Sequence, residues 1–278
     1  MESAPSVIDV EYRGRLAIIT IANETKLNAL DQYGYYELAQ KLREVATHDE
    51  VFVTLLIGKG RYFSAGADVS LSRPTAEQQR AQTQSPHRFW LQGFVALNLN
   101  ITQAFYTHPK ILVAGLNGPV VGLSAALVSF ADFIYAVPHT FLLTPFSSLG
   151  LVTEGAASRA MVQRLGVAKA NEALIMSKRL GADELVAAGF VNKVFAECGK
   201  GEDDKFKALV LREIDERLGE HLVGESLLRI KALIRKPERD VLDQQNVAEV
   251  FAGLDRFLEG VPQQEFLKIA TGKKRHKL

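Results

Sequence analysis

Three short segments of this 278-residue chain combine residue types and spacings that could do chemistry. The first is Phe63-Ser64-Ala65-Gly66-Ala67-Asp68. The second is Asn117-Gly118-Pro119-Val120-Val121-Gly122-Leu123-Ser124-Ala125-Ala126. The third runs from Pro145-Phe146 through Leu149-Gly150-Leu151-Val152-Thr153 to Glu154-Gly155. In the first two, small residues follow an apolar run, where a ligand can approach the backbone closely. Free N–H groups in such turns can point at an anion, and a helix starting near Leu123 adds the positive end of its dipole. Two such turns aimed at one point make an oxyanion hole, although either alone is equally an ordinary glycine turn. The third segment supplies a carboxylate, Glu154, suited to acid/base work; by itself it is equally a glutamate favoured at a helix N-terminus. Ser124 also stands after a turn at a helix start, but a nucleophile elbow needs glycine at position 126, where Ala126 stands.

The elements around these segments alternate between strand and helix. Val7–Tyr12 and Leu16–Ala22 read as strands joined by a hairpin turn at Arg13-Gly14-Arg15. Asp31 is placed to cap a helix reaching about Ala46, with Leu38, Leu42 and Val45 on one face. Val51–Ile57 and Ile111–Leu116 are continuous apolar runs, the pattern of strands buried on both faces. Helical patterns occupy His87–Thr107, ending before Pro109, and Gly122–Phe130; Phe133–Val137 reads as a strand. The Gln-rich stretch Pro74–Pro86 has little to bury and is expected to be mobile. Such alternation predicts an α/β fold with crossover connections. After Gly199-Lys200-Gly201 only helical patterns follow, over Glu202–Leu218, Glu225–Ile234 and Val241–Leu258. The apolar stripe of Val250, Leu254, Phe257 and Leu258 must bury against the core or a second subunit.

Composition narrows the function classes. With 33 basic and 32 acidic side chains, the chain has no electrostatic footprint for nucleic acid. The lone Cys198 cannot form an internal disulfide, and the six histidines are scattered without zinc-ligand spacing. No secretory signal and no membrane span are expected, so the expectation is a soluble intracellular protein.

In this order, the segments resemble the crotonase (enoyl-CoA hydratase/isomerase) family. Its first motif is an Ala-Gly-Ala/Gly-Asp turn, and its second an Asn-Gly-x-x-x-Gly turn opening a helix. Asn28-Ala29-Leu30 and Ala131-Asp132-Phe133-Ile134-Tyr135-Ala136 match further family segments, so the likeness spans about residues 10–195. The resemblance implies an α/β fold with a crotonase-like ββα spiral core, residues 1–198, carrying the coenzyme A and catalytic sites. A helical C-terminal oligomerisation module with a targeting tail, residues 199–278, would follow. It further implies that the N–H groups of Ala67 and Leu123 hold a thioester oxygen. Ala65, Gly66, Ala67, Asp68 and Val69, with Leu123, would line the coenzyme A site.

Hydratases of the family carry two glutamates, at positions held here by Ala126 and Phe146, so two-carboxylate hydration is not available in that geometry. Glu154 instead lies in a stretch resembling the Δ3,Δ2-enoyl-CoA isomerases, particularly the fungal peroxisomal type, in which Asn98 would orient it. The implied activity is a shift of a 3-enoyl-CoA double bond to trans-2-enoyl-CoA in β-oxidation, by one glutamate acting as a general base. Dienoyl-CoA isomerisation or another activity of the family is the alternative. A serine hydrolase using Ser124 and a non-catalytic acyl-CoA-binding protein are the more distant ones. No metal and no cofactor are expected, coenzyme A being part of the fatty acyl-CoA substrate. The expected assembly is a homotrimer or a dimer of trimers. His276-Lys277-Leu278 resembles a peroxisomal Ser-Lys-Leu address, which would be read by an import receptor.

Overall fold

The computed structural model describes residues 6–68, 80 and 82–274. Strands β1 (Ile8–Arg13) and β2 (Leu16–Ile21) form the expected hairpin, with Ile8 opposite Ile21. Helix α1 (Gln32–Ala46) starts where the Asp31 carboxylate accepts the Gly34 N–H, satisfying one of the donors that a helix start leaves unpaired. Strand β3 (Val53–Gly58) then joins β2 in parallel. Helix α2 (Pro86–Trp90) passes through a π-helical turn, Leu91–Val95, into α3 (Ala96–Tyr106), leading to β4 (Ile111–Leu116). Two-residue β5 (Val120–Val121) precedes α4 (Gly122–Leu127), and then come β6 (Phe133–Ala136) and β7 (Phe141–Leu143). The core closes with α5 (Ala157–Leu174), β8 (Leu180–Gly181), α6 (Ala182–Ala187) and β9 (Lys193–Val194).

A six-stranded sheet in the order β1-β2-β3-β4-β6-β9 is parallel except for the hairpin, and a small sheet β5-β7-β8 lies beyond it. The continuous apolar runs divide by strand alternation. Leu56, Leu112, Ala114 and Leu116 face one cluster with Leu38 and Leu42 of α1 and Ile101 and Phe105 of α3. Val53, Leu55, Ile57, Ile111 and Val113 face a second, with Phe206, Val210, Ile214 and Leu218. Those last four lie on α7 (Asp203–Leu218), so the first C-terminal helix covers the other face of the sheet. This explains why β3 and β4 are apolar throughout.

Three more helices follow: α8 (Gly224–Arg235), α9 (Arg239–Leu258) and α10 (Val261–Ala270). The choice left open for the apolar stripe is resolved within the chain. Val250 and Leu254 bury against Phe94 and Val95, and Phe257 stacks on Trp90 at 4.2 Å, whereas Leu258 is exposed. Residues 74–79 and 81 of the Gln-rich stretch lie outside the described residues, as do Val69, His276, Lys277 and Leu278.

Candidate functional site

The site forms where β3 and β4 end side by side. Two buried asparagines brace the loop leaving β3. The Asn28 amide donates to the carbonyls of Lys59 and Tyr62, while the Asn117 amide donates to Gly60 and Tyr62 and its Oδ1 accepts the Gly58 N–H. Both asparagines of the sequence motifs therefore position backbone. From this braced loop the first turn makes two single-residue bridges, Ser64 with Val120 and Leu30 with Ala67.

The second bridge uses the Gly66 carbonyl and the Asp68 N–H, as parallel pairing requires, so the N–H of Ala67 faces away from Leu30. Leu123 is in the first turn of α4, where intrahelical acceptors do not yet exist. Neither N–H has a backbone acceptor among the described residues. The two turns touch: a Cβ on Gly66, which has φ +87°, would lie 2.8 Å from the Val121 carbonyl oxygen. Glycine is needed there to bring the first donor beside the second.

Behind the turns runs a hydroxyl chain that sequence reading did not find. Tyr35 Oη meets Ser124 Oγ at 3.1 Å, and Ser124 Oγ meets Ser64 Oγ at 2.9 Å. Ser64 Oγ donates to the Asn28 carbonyl and accepts the Gly66 N–H. Ser124 is thus tied to Tyr35 and Ser64 and is 4% exposed, a bracing group with no histidine partner among the described residues. That arrangement removes the serine-hydrolase alternative. The signal that could have revealed the chain was the pair of serines placed just inside the two glycine turns.

Glu154 approaches from the third segment. It lies just ahead of α5 in a turn whose next residues, Gly155 (φ +73°) and Ala156 (φ +51°), are both left-handed. A Cβ on Gly155 would sit 2.9 Å from Ala126 Cβ and 3.1 Å from Leu123 Cδ1, so this turn packs directly on α4. Ala126 and Phe146, at the two positions where the resemblance places the hydratases' carboxylates, are both apolar and buried. Glu154 is 9% exposed and has no ion-pair partner among the described residues. Burial, and then the charge of Glu249, push its carboxyl up to about 8. A carboxylate of that basicity exchanges protons readily near neutral pH.

The other candidates fall as follows. Asn98 is buried on α3, but its amide donates to the Phe94 carbonyl at 3.2 Å, and its Oδ1 has no partner among the described residues. No hydrogen bond joins Asn98 to Glu154. Ala65 and Gly66 lie in the braced turn, and Asp68 pairs with exposed Lys26 at 2.7 Å. The residue missed altogether is Glu249 of α9, 4% exposed and acting on Glu154 through its charge. On a helix of mixed pattern nothing marked it as inward-facing. Among the described residues no cluster of His, Cys, Asp and Glu is arranged to hold a metal ion.

The sequence model of the enoyl-CoA hydratase/isomerase family matches residues 11–203. The chain is 70% identical over 277 residues to the Delta(3,5)-Delta(2,4)-dienoyl-CoA isomerase of Pyricularia oryzae, covering 98% of this chain and 99% of that one. It is 32% identical over 272 residues to the 3,2-trans-enoyl-CoA isomerase of Saccharomyces cerevisiae, covering 97% and 96%. Among solved structures, the enoyl-CoA hydratase/isomerase of Pseudoalteromonas atlantica T6c superposes with a TM-score of 0.82 at 23% identity, covering 98% of this chain and all of that one. The paired backbone turns, the sheet that carries them and these full-length similarities agree, and the chain belongs to the enoyl-CoA hydratase/isomerase family.

Proposed function

We propose that the protein is an isomerase of enoyl-CoA double bonds that moves a proton with Glu154 alone. The observation that carries this reading is the single basic carboxylate packed on the oxyanion helix, where Ala126 and Phe146 leave no second one from the hydratase positions. A 3-enoyl thioester has an acidic C2 proton, because the electron pair released delocalises as a dienolate onto the thioester oxygen. Glu154 takes that proton, and the N–H groups of Ala67 and Leu123 hold the oxyanion, each donor worth roughly 3–4 kcal/mol of barrier. The same carboxyl returns the proton at C4 and the double bond settles between C2 and C3. One carboxyl suffices because both carbons lie on one face of a planar intermediate.

A second reading follows from the relative that is 70% identical and named for dienoyl-CoA isomerisation. A 3,5-dienoyl thioester loses the same C2 proton, and reprotonation at C6 instead of C4 gives the 2,4-dienoyl product. Turnover of trans-3-hexenoyl-CoA and 3,5-octadienoyl-CoA, each followed by the ultraviolet absorbance of its conjugated product, separates the two. Wild-type turnover with near-complete loss in Glu154→Gln is expected on the preferred substrate. Turnover surviving in the variant would assign the proton transfer to another residue.

Two further features extend the proposal. A peroxisomal location rests on the tail His276-Lys277-Leu278. Self-association as a homotrimer or a dimer of trimers is in keeping with α8, which leaves Ile230, Leu233 and Ile234 at 56%, 71% and 66% exposure along one face.

A further inference from the structure

Helix α5 begins without a cap of its own. Its N-cap position is Ala156, whose side chain accepts nothing, and no acidic residue lies in its first turn. Its orphan donors are met from 91 residues away: Glu249 Oε1 of α9 accepts the Ser158 N–H at 2.8 Å and the Ser158 hydroxyl at 2.5 Å. Gln245, one helical turn earlier on α9, donates to the same hydroxyl. The residue that Glu249 holds, Ser158, follows Glu154 across the left-handed pair Gly155–Ala156. Glu249 Oε2 is buried and has no hydrogen-bond partner among the described residues.

We propose that Glu249 is a positioning residue for the proton transfer: it anchors the first turn of α5, directly after the strained turn that carries Glu154, and brings a second buried carboxylate to that turn. This inference rests on Glu154 being the proton carrier. Ala156 lies in the left-handed region that L-residues rarely adopt, and the bonds to Ser158 anchor the chain just beyond it, where the base must be aimed. The two carboxylates differ in their surroundings. Burial pushes the Glu249 carboxyl up as well, but the Ser158 N–H and hydroxyl oppose that by favouring its charged form, whereas Glu154 has no hydrogen bond to its carboxylate among the described residues. A charge on Glu249 raises Glu154 beyond what burial alone does. Among the described residues a charge on Glu154 in turn acts on the phenol of Tyr35 on α1, which burial holds neutral.

Infrared titration of the full-length protein tests this. The protonated-carboxyl band of Glu154 is identified by its loss in Glu154→Gln, and is expected to titrate near pH 8 in the wild type. Glu249→Gln keeps an acceptor for Ser158 and removes the charge. The band should then titrate about one pH unit lower, a tenfold change in the protonation equilibrium. The acid limb of kcat/KM should follow it, with kcat falling and KM nearly unchanged. Ser158→Ala, which leaves the carboxylate with one donor fewer, should move the band the same way by less. An unmoved band in Glu249→Gln with a lowered Tm would make Glu249 a structural cap only and overturn the proposal. Should Glu249→Gln fail to fold, an unmoved band in Ser158→Ala overturns it equally. A band that moves as expected in a protein that turns over neither substrate supports the pairing and defeats the proposed reaction instead.

Discussion

A carboxyl raised to about 8 is useful chemistry and a standing cost to stability. In the unfolded chain Glu154 ionises near its ordinary value of 4.5, whereas in the fold it keeps its proton until about 8. Between those limits the folded state binds more protons than the unfolded one, so this residue's contribution to stability falls as pH rises. Glu154→Gln removes the titration. The variant should match the wild type below about pH 4 and gain on it progressively to about pH 8, by a few kcal/mol at most. Urea midpoints of both proteins between pH 4 and pH 9 measure this. A gain independent of pH would mean that Glu154 is not the raised group. Together with loss of turnover, a pH-dependent gain identifies one side chain as both the source of activity and a local instability.

At the scale of elements, the turn after β3 and the start of α4 work as a pair because they are in contact. Gly66→Ala drives a methyl group into the Val121 carbonyl in a region of φ that L-residues rarely adopt. The expected cost is about 1–3 kcal/mol of stability. Because the next N–H belongs to Ala67, kcat on the preferred enoyl-CoA should fall by about 10²-fold or more, with KM far less affected. Retained kcat would mean that Ala67 is not an oxyanion donor. These turns, the buried strands and the Asp31 cap were legible in the sequence because each depends on local chemistry: small residues, unbroken apolar runs, a capping carboxylate. What was not legible depends on distant partners or on very short elements. The pairing of Glu249 with the Glu154 turn bridges 91 residues. Strands β5 and β8, two residues each, have no pattern of their own. The π-turn at Leu91–Val95 hides inside an ordinary helical period, and Gly260 with Pro262, residues that often end helices, instead open α10.

For the whole molecule, the question is what holds the C-terminal helices to the core, since α9 delivers Glu249. Part of the answer is a buried charge cluster. Asp132, just before β6, accepts Lys231 at 2.7 Å and Arg235 at 2.9 Å from α8, and also the Leu112 N–H of β4. Burial opposes ionisation of Asp132, but the charges of Lys231 and Arg235 outweigh it and hold its carboxyl below the usual range. Asp132→Asn would leave the Lys231 ammonium, 9% exposed, without its counter-charge, a loss of about 3–5 kcal/mol. Replacing both groups, as Asp132→Asn with Lys231→Met, should recover most of that loss, because the stranded charge is what is costly rather than the missing attraction. A group whose pKa is depressed by folding contributes stability above its unfolded value and loses it as pH falls through the folded one. The gap between wild type and Asp132→Asn should therefore begin to narrow below about pH 4 and close as pH falls through the lowered folded value, where Asp132 itself takes up a proton. Chemical denaturation of the three proteins at pH 7 and pH 3.5 checks both statements. If the double variant is no more stable than the single one, the cluster binds the module to the core by attraction rather than by avoiding a buried unpaired charge.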